Sequence, residues 1–170
     1  VRLNTNESPF PPPPAFVEAV AEAVRDIDWN RYPDRSAKRL RTALAERYGV
    51  APGQVFAANG SNEVLQSLLL AYGGAGRSVA VFEPTYAMYS QIARTTGTRL
   101  VQGRRATDFS LDSGSARQLV LGERPDVVIL CSPNNPTGTP AANDLVADLE
   151  EAVGTYGGLL VVDEAYGEFA

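Results

Sequence analysis

Five polar side chains that stand shortly after an apolar run or near the opening of a helix could do chemistry. They are Ser61 and Asn62 after Gly60, Tyr86 after Pro84-Thr85, Asn135 between Pro133 and Pro136, and Asp163 after Leu159-Leu160-Val161-Val162. A carboxylate at the end of a buried strand is costly unless a cationic or proton-donating partner meets it. Asp163 therefore either serves a ligand of that kind, or caps a loop, or pairs with an arginine. Its neighbour Glu164 falls on the opposite side of the strand and is the weaker candidate. Asn135 offers a side-chain amide, and the flanking prolines stiffen the loop that carries it. At Gly60-Ser61-Asn62 a strand is expected to meet a helix, where unpaired backbone amides and the helix dipole favour an anion and Ser61 adds a hydroxyl donor. An ordinary capped helix start would use the same residues. Tyr86 has a ring to lay against a flat ligand, or simply packs at the rim.

These residues need elements to position them. Val127 to Leu130 and Leu159 to Val162 are short apolar runs flanked by Pro or Gly, the pattern of strands covered on both faces. Ligands of an open parallel sheet sit just beyond the carboxyl ends of its strands, so Asn135 and Asp163 are expected at one crevice, the active site. Taken in order, residues 1–14 end in four prolines and read as an extended arm leading into a helix. That helix carries Phe16, Val17, Val20, Val24 and Ile27 at helical spacing. A loop through Trp29-Asn30-Arg31-Tyr32-Pro33-Asp34 follows, then a second helix capped by Ser36, carrying Leu40, Leu44 and Tyr48 and closed by Gly49.

Beyond it strands and helices alternate. Strands are expected at Val55 to Ala58, Ser78 to Phe82, Leu100 to Gln102, Val127 to Cys131 and Leu159 to Asp163. Helices are expected from Val64 to Tyr72, from just after Glu83-Pro84-Thr85-Tyr86 to about Thr96, from Ala116 to Leu121 and from about Ala142 to Tyr156. The fold class is α/β: a mostly parallel sheet with helices on both faces.

Composition removes several classes of function. The net charge is −5 with both signs dispersed, which argues against a nucleic-acid footprint. There is no histidine, so histidine acid–base chemistry and histidine metal sites are absent, and no metal is expected. Lys38 is the sole lysine and falls on a solvated, arginine-rich helix face. Cys131 is the single cysteine, which fits a reducing, cytoplasmic compartment. No apolar run is long enough to span a bilayer as a helix. Gly73-Gly74-Ala75-Gly76 lacks the lysine of a phosphate loop and precedes a strand, so it reads as a turn, and no Gly-x-Gly-x-x-Gly follows a strand. With Met88 as the only methionine, the chain is expected to be a piece of a longer protein, and an exposed sheet edge would make it poorly soluble alone.

Taken together, Asn59-Gly60-Ser61-Asn62-Glu63, Pro84-Thr85-Tyr86, Ser132-Pro133-Asn134-Asn135-Pro136-Thr137-Gly138 and Asp163-Glu164-Ala165-Tyr166 resemble the fold-type I aminotransferases that use pyridoxal phosphate. Leu3-Asn4-Thr5-Asn6-Glu7-Ser8-Pro9 and Asn30-Arg31-Tyr32-Pro33-Asp34 are most similar to the histidinol-phosphate aminotransferase branch. The resemblance implies that Ser61 and Asn62 hold the cofactor phosphate and that Tyr86 stacks on the pyridine ring. It implies further that Asn135 and Tyr166 bond the 3-hydroxyl oxygen and that Asp163 pairs with the protonated ring nitrogen. Tyr32 would reach the phosphate of the neighbouring subunit in a homodimer, and the arm, with Asn6, would close over the substrate.

The resemblance also divides the chain into an arm, helix and loop at 1–34, with a small-domain and dimer-contact role, and part of the cofactor-binding large domain at 35–170. It implies amino transfer between histidinol phosphate and 2-oxoglutarate. An aromatic amino-acid transaminase, a pyridoxal-phosphate decarboxylase of the same fold, and a non-catalytic protein that binds a phosphorylated ligand or a partner are the alternatives. The family's Schiff-base lysine follows the Asp163 motif at a distance and is not among these residues, so the 170 residues alone are expected to be inactive.

Overall fold

The structure, a computed structural model, describes residues 6–169; Val1 to Thr5 of the expected arm lie outside the described residues. The chain forms two compact units, one ending at Val55 and the other beginning at Phe56. This division falls later than the one after Asp34 that the resemblance suggests.

In the first unit α1 spans Pro14–Arg25 and α2 spans Lys38–Tyr48, followed by a 3₁₀ turn at Pro52–Gln54. Proline in the first turn of α1 costs no hydrogen bond, because the first amides of a helix have no partner within it. Gly49 ends α2 in the left-handed conformation (φ 66°), donating its N–H to Ala45 O. The start of α2 corrects the expectation of a Ser36 cap. The Asp34 carboxylate accepts the Lys38 N–H at 2.9 Å, and it also accepts both the N–H and the hydroxyl of Ser36, at 2.9 and 2.6 Å. The longer reach of the aspartate spans the turn, and the Ser36 hydroxyl is a donor to it. Those bonds hold the Asp34 carboxyl below the usual carboxylate range, the Ser36 hydroxyl contributing most.

The second unit contains α3 (Ser61–Tyr72), β1 (Ser78–Glu83), α4 (Met88–Thr95), β2 (Arg99–Arg104), α5 (Ser113–Glu123), β3 (Val127–Cys131), α6 (Asn143–Gly154) and β4 (Leu159–Asp163). The four strands are parallel in the order β2-β1-β3-β4. The chain therefore steps outward from β1 to β2, returns to β3 on the other side of β1, and continues to β4. Connections of one hand can do this only with helices on opposite faces of the sheet. The packing agrees. Ala80, Phe82, Val128 and Leu130 pack under α5 and α6, while Val79, Val81, Val127, Ile129 and Cys131 pack under α3 and α4. Every residue of β3 is buried, and each fully buried Val, Leu or Ile contributes about 1.5–3 kcal/mol.

The expected strand at Val55 to Ala58 does not form. The segment runs across the division between the units, Phe56 is exposed, and none of the four strands pairs with it. Extended residues without a ladder of hydrogen bonds are not a strand. Val161 belongs to the α3/α4 side and Leu160 to the other, so side-chain alternation places Asp163 with Val161.

Candidate active site

The sheet order reverses between β1 and β3, and the loops leaving those two strands carry the motifs singled out above. Asn134, only 2 % exposed, joins them. Its Oδ1 accepts the Thr85 hydroxyl at 2.8 Å, while its Nδ2 donates to Pro84 O at 3.1 Å and to Thr137 Oγ1 at 2.8 Å. Within the second loop the Gly138 N–H donates to Asn134 O at 2.7 Å and the Asn134 N–H to Thr139 O at 2.9 Å. Gly138 sits at φ 71°, a conformation glycine adopts without cost. The Ser132 N–H reaches across to Asp163 O at 3.0 Å. The loop also wraps the Cys131 sulfur, which accepts the Asn135 N–H at 3.4 Å. The consequence is that Asn134 points inward and is fully used by the protein, while Asn135 lines the crevice.

Asp163 is directly opposite Cys131 in the β3–β4 register. Its Oδ2 accepts the Tyr89 hydroxyl at 2.7 Å and its Oδ1 accepts the Ala165 N–H at 3.1 Å. The ion pairs among the described residues, Arg99–Glu123 and Arg117–Glu151, do not involve it. Asp163 is thus a half-buried carboxylate with neutral donors and no arginine, and each of its oxygens keeps acceptor capacity. Burial, together with bonds to Cys131 and Asp163, pushes the Tyr89 phenol far above its ordinary value, so it remains a proton donor.

Across the crevice, α3 begins at Ser61 behind Gly60, whose φ of 82° lies in the glycine-favoured region. Val64 is the first residue to donate within the helix, to Gly60 O at 3.3 Å, so the amides of Ser61, Asn62 and Glu63 precede the ladder. Glu63 folds back to accept the Asn59 N–H at 2.7 Å and fixes the entry to the turn. Asn62 Oδ1 accepts the Tyr86 hydroxyl at 3.1 Å. Tyr86 in turn meets Tyr89 edge-on, with ring centroids 5.5 Å apart at 85°.

Ser61, Tyr86, Asn135, Asp163 and Tyr166 therefore line one cavity, together with Tyr89, Cys131 and Ala165. Its volume is ≈ 50 Å³, well below the roughly 300–1,000 Å³ of a typical ligand pocket. Asn62 joins the site through Tyr86. Tyr32, 99 % exposed, and the exposed Asn6 belong to the first unit, while every residue lining this cavity belongs to the second. Lys38 lines a larger, shallow concavity on α2 with Asp34, Arg39 and Glu46, a solvated surface of mixed charge. No cluster of three or more His, Cys, Asp or Glu suited to a metal occurs among the described residues. Sequence reasoning missed Tyr89 and Asn134. The signal for Tyr89 was a phenol on an otherwise apolar helix face, which must find a partner when buried.

Chemically, the cavity suits a flat ligand with a protonated nitrogen toward Asp163 and an anionic group toward the start of α3. A half-buried carboxylate without a cationic partner among the described residues can accept from such a nitrogen, and this donor and acceptor set fits a phosphorylated pyridine.

Known proteins resemble the chain along its length. A profile for aminotransferase class I and II matches residues 1–170. The chain is 50% identical to a histidinol-phosphate aminotransferase of Frankia casuarinae over 99% of this chain and 45% of that one. It is 47% identical to one of Mycolicibacterium smegmatis over 100% of this chain and 80% of that one. It thus spans less than half the length of the Frankia relative. Among solved structures, the histidinol-phosphate aminotransferase of Sinorhizobium meliloti in complex with pyridoxal-5'-phosphate superposes with a TM-score of 0.86 at 30% identity, covering 98% of this chain and 44% of that one.

Proposed function

The chain belongs to the class I and II aminotransferase family, and from that premise we propose that the protein it comes from is a pyridoxal-phosphate-dependent aminotransferase acting between histidinol phosphate and 2-oxoglutarate. The observation that carries the reading is Asp163, a carboxylate without a cationic partner among the described residues, lining one cavity with Ser61, Tyr86, Asn135 and Tyr166. The identity to histidinol-phosphate aminotransferases supports the choice of substrate.

When bound, pyridoxal phosphate supplies an electron sink for the carbanion left as a substrate α-proton departs. The carboxylate of Asp163 holds a proton on the ring nitrogen and keeps that sink effective. Tyr86 lies against the ring face. The Asn135 amide and the Tyr166 hydroxyl serve the 3-oxygen. Ser61 and Asn62, with the amides that open α3, hold the phosphate. Tyr32 serves the phosphate of a neighbouring subunit in a homodimer, which gives its full exposure here a purpose, and Asn6 approaches the substrate.

In the whole protein, residues 35–170 belong to the cofactor-binding domain and 1–34 to the part that makes dimer contacts. Lys38, exposed and with its amide bonded to Asp34, does not serve as the base that moves the α-proton. The lysine that the family uses for that step is not among these 170 residues. The lone buried Cys131 supports a cytoplasmic setting.

The test is the ratio of kcat/KM for histidinol phosphate to that for phenylalanine in the full-length enzyme. The reading expects histidinol phosphate to lead. A strong preference for phenylalanine, or decarboxylation of an amino acid in place of amino transfer, would overturn the substrate assignment.

A further inference from the structure

Tyr89 is fully buried on α4, three residues after Tyr86, and touches both protein groups expected to flank the cofactor ring. Its hydroxyl donates to Asp163 Oδ2 at 2.7 Å, and its ring meets that of Tyr86 edge-on at 5.5 Å. Asp163 ends a strand and would otherwise be free to turn about its side-chain bonds. Tyr89 pins one oxygen and the Ala165 N–H the other, at 3.1 Å, which fixes the plane of the carboxylate from two directions. A phenylalanine would fill the same space between α4 and the sheet. A buried hydroxyl there is costly unless it makes a specific bond, and the bond it makes is to Asp163.

We propose that Tyr89 is a positioning residue, whose hydroxyl sets the Asp163 carboxylate while its ring sets Tyr86, so that the two grip one flat ligand in register. The proposal rests on the reading of Asp163 as the ring-nitrogen partner given above. Because burial keeps the Tyr89 phenol protonated, the direction of the bond does not change with pH in the working range.

The test uses full-length protein and pyridoxal phosphate itself as the probe, with Tyr89→Phe, Asp163→Asn and the double variant. Two readouts are taken: the dissociation constant for pyridoxal phosphate from titration of the apoprotein, and the pH midpoint of the bound cofactor's visible absorption. Tyr89→Phe is expected to weaken binding about tenfold, as for loss of one hydrogen bond to a charged group, and to move the midpoint. In the Asp163→Asn background the same change is expected to do neither, because the hydroxyl acts through that carboxylate. If Asp163→Asn alters both readouts while Tyr89→Phe leaves them within about twofold, Tyr89 only packs and the proposal fails. If Asp163→Asn alters neither, the ring-nitrogen reading itself fails and takes the proposal with it. Should Tyr89→Phe not fold, recovery of folding in the double variant supports the coupling, and loss of folding in both backgrounds counts against it.

Discussion

Two adjacent asparagines are expected to respond to the same mutation in opposite ways. Asn134→Ala deletes the amide that ties the loop after β1 to the loop after β3. It leaves the buried Thr85 hydroxyl without its acceptor and removes bonds to Pro84 O and Thr137 Oγ1. A buried hydroxyl left unpaired costs about 1–3 kcal/mol and each of the two other lost bonds about 1 kcal/mol more, so the expected destabilisation is about 3–5 kcal/mol. Asn135→Ala removes a half-buried side chain that lines the cavity. Its stability is expected to change by no more than about 0.5 kcal/mol while affinity for pyridoxal phosphate falls. The assay is urea unfolding of the full-length apoprotein, alongside cofactor titration of each variant, with Thr85→Val completing a double-mutant cycle on Asn134. Coupling of about 1 kcal/mol or more is expected between Thr85 and Asn134. Destabilisation by Asn134→Ala of less than about 1 kcal/mol, or additive behaviour in the cycle, would refute the view that this amide holds the two loops together.

Two further perturbations probe the elements behind the site. An added Cβ at Gly103 on β2 would lie 2.5 Å from Phe82 Cδ1 and 3.3 Å from Leu119 Cδ2, and Phe82 is buried. Gly103→Ala is therefore expected to cost about 1–3 kcal/mol by overpacking, read as a lowered urea midpoint. At the start of α5, Asp112 Oδ2 accepts the Ser115 N–H at 2.8 Å, and that bond holds its carboxyl below the ordinary 3.8. A depressed native pKa gives stability that is complete above 3.8 and is lost as pH falls through the lower native value. Asp112→Asn keeps the acceptor and removes the titration, so its urea midpoint is expected to fall less steeply in acid than that of the parent.

Much of the fold was legible because the apolar strands announce themselves. Val127 to Cys131 is an unbroken apolar run and is buried throughout, as expected. Leu159 to Val162 is another, but β4 is only half-buried along its length, because it is the outermost strand on its side of the described sheet and is not covered on both faces as the run suggested. What was harder to read has physical reasons. β2 extends from Arg99 to Arg104, beyond the three residues expected, because the arginines at its two ends and the glycine at position 103 give no apolar signal on this edge strand. α5 begins at Ser113, earlier than expected, because the Asp112 cap outweighs the weak helix preference of Ser113 and Gly114. Val55 to Ala58 has strand composition but no pairing partner, and pairing is not a local property.

At the site, Ser61, Tyr86, Asn135, Asp163 and Tyr166 were each visible as polar residues next to an apolar run or in a recognisable motif. The roles of Tyr89 and of Asn134, though the latter stands in a motif, were not, because each depends on a partner distant in sequence: Asp163 for Tyr89 and Thr85 for Asn134. Which of two neighbouring asparagines turns inward depends on Thr85, far away in sequence.

The central claim is that the Asp163 carboxylate keeps a proton on the nitrogen of a bound pyridine ring. The direct measurement is the ¹⁵N chemical shift of ring-labelled pyridoxal phosphate bound to the full-length protein, in the parent and in Asp163→Ala. The account predicts a protonated ring nitrogen in the parent and an unprotonated one in the variant at the same pH. A ring nitrogen that is unprotonated in the parent, or equally protonated in both, would contradict it.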